Sequence, residues 1–132
     1  MSAPVRPQYH FRRTSAGLCA WDVRRLIELS SGLVVVPYQV STCPELDVDH
    51  WYRYGGGKPT PRSICVHVDL IKQADLGFPI ILAADGGVMD GMHRICRAYL
   101  EGRASLPSVR FESDPEPDFV GVRLEDLPYE DS

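Results

Sequence analysis

Apolar positions along the chain fall into runs with recognisable periods. From Met92 on, they recur at Met92, Ile95, Cys96, Tyr99 and Leu100. That i, i+3, i+4, i+7, i+8 stripe predicts an amphipathic helix, and Gly102 sits where a left-handed C-terminal cap belongs. Just upstream, Pro79-Ile80-Ile81-Leu82-Ala83-Ala84 is too short for a helix and reads as a strand. Asp85-Gly86 then makes a tight turn into a second short strand at Val88-Met89-Asp90. The centre of the chain is therefore a strand-turn-strand-helix unit. Around it the pattern is less regular. Cys19, Val23, Leu26 and Ile27 predict a first helix between Gly17 and Gly32. Leu33-Val34-Val35-Val36-Pro37 is β-branched and continuous, the signature of a buried strand.

Residues 62–75 carry two patterns at once. Ile64, Val66, Val68 and Leu70 alternate like a strand, whereas Ile64, Val68 and Ile71 keep helical spacing. Thr60 as N-cap, Pro61 at the first helical position and Gly77 as a stop decide for a helix. Leu106-Pro107-Ser108-Val109-Arg110-Phe111 reads as a last strand. Residues 1–16, with Pro4, Pro7, Arg6, Arg12 and Arg13, read as an N-terminal arm laid on the body by Tyr9 and Phe11. Residues 112–132 read as an irregular acidic tail. The expected organisation is a single α+β domain over 17–111, a mixed sheet with helices packed on it.

Composition narrows the class. A chain of 132 residues that is 44% hydrophobic supports one core and not two. No stretch approaches the roughly 18 apolar residues of a membrane span, and the first residues lack the apolar centre of a signal peptide, so a cytoplasmic protein is expected. Cys19, Cys43, Cys65 and Cys96 are far apart and read as reduced residues rather than a disulfide framework. Cys65, His67, His93 and Cys96 match no zinc spacing, and no metal site is expected. Charge is unevenly placed. Residues 1–111 hold 13 Lys/Arg against 10 Asp/Glu, whereas 112–132 hold one Arg against eight carboxylates. A mildly basic body suits a phosphorylated ligand, and an acidic tail disfavours DNA.

The chemistry concentrates at Asp90-Gly91-Met92-His93-Arg94. The first turn of a helix has free N–H groups and the positive end of the dipole, and two adjacent cationic side chains there favour a phosphate. Arg94 offers a two-pronged fork. Asp90 reads as the helix cap. Gly91 serves either a close backbone approach to a ligand or a tight turn. Gly55-Gly56-Gly57-Lys58 is not a P-loop, because Pro59 stands where a hydroxyl is required; an aromatic-flanked mobile loop and a lid are equal readings.

The run Pro79-Ile80-Ile81-Leu82, the turn, Val88-Met89-Asp90-Gly91-Met92-His93-Arg94, the short helix and Val109-Arg110-Phe111 together resemble the ParB/sulfiredoxin superfamily. The resemblance spans residues 33–111. It implies a nucleotide-phosphate site at Gly91, Met92, His93 and Arg94, with Arg62 and Ser63 as further phosphate contacts. Sulfiredoxins carry a cysteine immediately before the His-Arg pair; Met92 stands there and cannot form a thiolate. Partition proteins add DNA-binding and dimerisation regions that have no counterpart after Phe111. The free-serine kinases of the superfamily have D-G-x-H-R and a carboxylate base after the first strand. Glu45 stands at about that place, with Asp47 in reserve. The resemblance thus implies a phosphotransferase using ATP or ADP, with CTP a further candidate, together with Mg²⁺ and a small hydroxylated acceptor. The competing reading is a non-catalytic nucleotide- or protein-binding module of the same fold. A homodimer is left open by the sequence.

Overall fold

The computed structural model describes residues 8–54 and 57–128, so Gly55 and Gly56, on which the lid reading falls, lie outside the described residues. The fold is α+β: seven strands in two sheets, with three α-helices. Strands β1 (Tyr9–Thr14) and β2 (Gly17–Asp22) form a hairpin that β7 (Phe119–Val120) extends, all antiparallel. The second sheet runs in the order β3 (Val36–Gln39), β6 (Ser105–Arg110), β4 (Ile80–Leu82), β5 (Val88–Asp90), with β4 and β6 parallel. Helix α1 (Val23–Ser30) follows β2, α2 (Pro61–Gln73) precedes β4, and α3 (Met92–Leu100) follows β5.

The central unit forms as its pattern predicts. Ile80, Ile81 and Leu82 are all buried because both faces of β4 are covered. Ile80 and Leu82 join Val88, Met92, Ile95, Ala98 and Leu106 in one core under α3. Ile81 turns the other way, into a second core with Trp21, Leu26, Met89 and Val109 between the two sheets. That is why the run reads as continuous rather than alternating. Gly102 has φ +72°, and the Arg103 N–H donates to the Ala98 carbonyl at 2.9 Å, closing the end of α3. Thr60 caps α2 through the Ser63 N–H at 3.2 Å, with Pro61 in the first turn.

Four expectations are corrected. The helix over 17–32 begins only at Val23, where Asp22 accepts from the Arg24 N–H at 2.9 Å. Residues 17–22 are instead the central strand of a three-stranded sheet, so Leu18, Cys19, Ala20 and Trp21 are buried in succession. The part of the N-terminal arm that is described holds a strand from Tyr9 to Thr14, turned back on β2 through Ser15 and Ala16, and residues 1–7 lie outside the described residues. The valine run is exposed: Val34, Val35 and Val36 are 79%, 54% and 45% accessible, since the strand β3 begins only at Val36 and lies at the sheet edge. The acidic segment contributes β7 and is tied in by Trp21 Nε1 donating to the Pro115 carbonyl at 2.7 Å and the Asp22 N–H donating to Asp118 at 2.7 Å. Among the described residues no helix is long and apolar enough to cross a membrane.

Candidate functional site

The turn into α3 is built around Gly91. Its φ is +111°, and a Cβ there would lie 2.5 Å from Cγ2 of Ile80. Both facts demand glycine: the left-handed backbone disfavours a side chain, and the floor of the sheet leaves no room for one. Gly91 is also the N-cap residue, so α3 has no side-chain cap. Asp90, expected in that role, turns its carboxylate onto Arg94 Nη2 at 2.7 Å instead. Arg94 Nη1 donates to the carbonyls of Phe78 and Pro79 at 3.0 and 2.9 Å. The guanidinium expected to grip a phosphate is thus engaged by Asp90 and by backbone, and its work is to tie α3 to the segment leading into β4. Met92 is buried in the core under α3 and brings only its backbone to the turn.

His93 is the other surprise. Its Nε2 lies 2.8 Å from Nδ1 of His67, on α2. The Trp51 ring lies nearly parallel to both imidazoles, 4.1 Å from His67 and 4.8 Å from His93 between centroids. Tyr52 meets His67 edge-on and hydrogen-bonds Ser63 through its hydroxyl at 2.7 Å. Burial lowers the pKa of His67, and burial with the nearby His67, His50 and Arg94 lowers that of His93 to about 4. Both imidazoles are neutral at pH 7. The spacing of His67 matches no motif cleanly, and Trp51 reads by default as a core or rim aromatic, so sequence reasoning misses both. The visible signal was Ser63 and His67 one turn apart on a single face of α2.

In front of this turn lies a cleft of about 720 Å³. Ile27, Leu33 and Val35 form one wall, Leu70 and Phe78 the other, and Ile81 and Val109 the floor; Asp90, Gly91, His93 and Arg94 close one side. The volume is that of a small-molecule site, and its walls are apolar. Asp75, Asp90 and Arg94 are the ionised side chains of the lining, leaving a net charge of −1 with His93 neutral.

The remaining expected residues lie elsewhere. Glu45, the expected base, accepts from the Val88 N–H through Oε2 at 2.8 Å and from the Cys43 thiol through Oε1 at 3.5 Å. It lines a separate cavity of about 210 Å³ with Asp49, His50, Met92 and Cys96. Sequence placed it just past the first strand; the short 3₁₀ turn over Pro44–Asp47 holds it against β5 rather than toward the cleft. Asp47 is exposed on the same turn. Ser63 is taken by Tyr52, and Arg62 is exposed on the first turn of α2; neither lines the cleft.

The charged side chains of the cleft are already engaged within the protein. Of its two carboxylates, Asp90 is paired with Arg94 and Asp75 accepts from the Gly77 N–H at 2.9 Å. A phosphate group entering the cleft would therefore meet no unpaired cationic side chain of its lining. Among the described residues no group of three or more His, Cys, Asp or Glu side chains could hold a metal ion. No protein family, curated protein or solved structure matches the chain.

Proposed function

We propose that the chain is a non-catalytic binding module for a small, singly phosphorylated ligand of nucleotide size. The phosphate would sit at the first turn of α3, and the apolar body would lie between Ile27 and Val35 on one side and Leu70 and Phe78 on the other. One observation carries the reading: a helix start without a side-chain cap opens onto an apolar cleft of about 720 Å³. Unsatisfied N–H groups and the helix dipole supply a place for a phosphate that needs no arginine fork. The apolar walls supply the affinity for the rest.

This is the binding half of what the ParB/sulfiredoxin resemblance implies. Transfer of a phosphoryl group to a hydroxyl needs a base within reach of the acceptor, and Glu45 is bonded to Cys43 and Val88 outside the cleft. The reading therefore stops at binding. It is tested by titration calorimetry with AMP, CMP, ADP, ATP and CTP, the last two with and without Mg²⁺. Monophosphates are expected to bind more tightly than triphosphates. Leu70→Glu, on the exposed part of the wall, is expected to weaken binding at least about tenfold, and Glu45→Ala to leave it unchanged. Absence of binding by the whole panel at millimolar concentration removes the reading.

A further inference from the structure

We propose that an anionic ligand enters the cleft together with one proton, taken up by the His67–His93 pair, and that this pair makes the site select an anion. The proposal rests on the binding reading above and adds what discriminates between ligands. Its basis is the geometry of the pair. With Nδ1 of His67 and Nε2 of His93 at 2.8 Å, a single hydrogen occupies the gap. That bond holds whether the pair is neutral or carries one extra proton, and burial of both rings favours the neutral pair when no anion is present.

One more proton can be added without breaking that bond. It goes to an outer nitrogen, Nδ1 of His93 or Nε2 of His67, and produces one cation shared by two rings. A second proton finds no outer nitrogen free; it would have to enter the gap, breaking the bond and setting two like charges against each other. The face of Trp51 lies over both rings, where a cation is attracted by the π-system.

The groups that bear on the pair are His50 and Tyr52 from the loop before α2 and Arg94 from α3; Asp90 and Asp75 line the cleft that His93 also lines. Arg94 cannot supply the positive charge, since Asp90 and two carbonyls occupy it. His93, which lines the cleft, is then the group that can become cationic there. Burial opposes its charge, and an anion set against it acts in the opposite sense. By linkage, whatever raises proton affinity in the bound form raises ligand affinity as pH falls. His67 is a positioning residue: it fixes the ring of His93 and shares its charge.

Sulfate is the probe, because it remains a dianion between pH 5 and 8. Calorimetry of the full chain near pH 6, in two buffers of different ionisation heat, counts the protons taken up. The ring resonances of His67 and His93 report the titration midpoint with and without sulfate. The expected result is uptake approaching one proton, a raised His93 midpoint, and affinity rising toward about tenfold per pH unit as pH is lowered from 7 to 5. His93→Gln is expected to fold, as judged by its urea midpoint, and to lose both the uptake and the pH dependence. His67→Asn is expected to reduce the uptake while His93 titrates alone.

Sulfate affinity independent of pH, no proton uptake, or uptake unchanged in His93→Gln would overturn the proposal. Sulfate binding with uptake, but no nucleotide binding, removes the nucleotide reading and leaves this one standing. A monophosphate bound equally well by the parent and by His93→Gln does the reverse. Failure of both anion and nucleotide to bind removes both.

Discussion

At the residue scale, the side chains that looked chemical are held by structural bonds, and histidine is where the charge remains adjustable. His10 illustrates this on the other side of the molecule. It is buried against Trp21, its Nε2 accepts from Arg12 Nε at 3.2 Å, and burial with the adjacent Arg12 lowers its pKa from 6.5 to about 3. The unfolded chain therefore binds a proton between pH 6.5 and 3 that the folded chain refuses. Stability falls as pH falls through that window and is unaffected by this group above it. The slope is about 1.4 kcal/mol per pH unit, so His10 alone costs about 2 kcal/mol on going from pH 7 to 5. Urea midpoints at the two pH values measure it, and His10→Phe is expected to flatten the dependence. Arg94 carries the opposite lesson. Its position beside Gly91 and His93 was legible in the sequence, but its hydrogen bonds to the carbonyls of Phe78 and Pro79 were not. Those carbonyls are fifteen and sixteen residues away and come into reach only when β4 lies beneath α3.

At the scale of elements, two runs of similar composition met opposite fates. Ile80-Ile81-Leu82 became a strand buried on both faces, whereas Val34 and Val35 stay outside any strand and Val36 opens β3 at the sheet edge, all three exposed. Local sequence does not encode how many neighbours a strand receives. Pro37 does bear on it. In the β3–β6 pair Pro37 faces Pro107, and neither has an N–H to exchange, so the missing donor of Pro37 falls on the open side of the sheet. A proline there blunts an edge that would otherwise recruit another strand. Pro37→Val is expected to restore an unbroken apolar edge and to shift the protein toward self-association. Sedimentation velocity over a concentration series checks this; an unchanged monomer-sized boundary for the variant removes the argument. Helix α2 is the reverse case. Its caps fixed its start correctly, yet none of its residues is buried. It is held to α3 by His67 on His93 and by Arg97 Nη1 donating to the Lys72 and Ala74 carbonyls. Arg97 thus satisfies the end of its neighbour.

At the scale of the whole molecule, the chain closes on itself. The segment after Phe111 returns to the first hairpin, where the Gly121 N–H donates to the Leu18 carbonyl at 2.8 Å and Trp21 Nε1 reaches Pro115. An acidic composition suggested an irregular tail, and the segment instead supplies β7 to the sheet that covers the second core. Truncation after Phe111 is expected to cost more than about 3 kcal/mol, since it removes β7 and leaves buried partners such as the Trp21 N–H unmet. Urea denaturation of the truncated chain tests it; a midpoint within error of the full chain would contradict the role assigned to β7.

What the sequence determined by itself is whatever depends on near neighbours along the chain. The stripe from Met92 to Leu100, the Thr60-Pro61 start of α2, the turn at Asp85-Gly86 and the glycine at position 91 follow from periods, caps and backbone preferences that act within a few residues. Tertiary structure alone decided the rest. It gave β2 a place at the centre of a sheet, which overrode the helical spacing of 19–27. It left the valines of 34–36 exposed, and turned Glu45 toward β5. It set His67 against His93 under Trp51 across 26 residues of chain. Contacts of that kind carry no periodic trace, because each depends on where a distant element comes to rest.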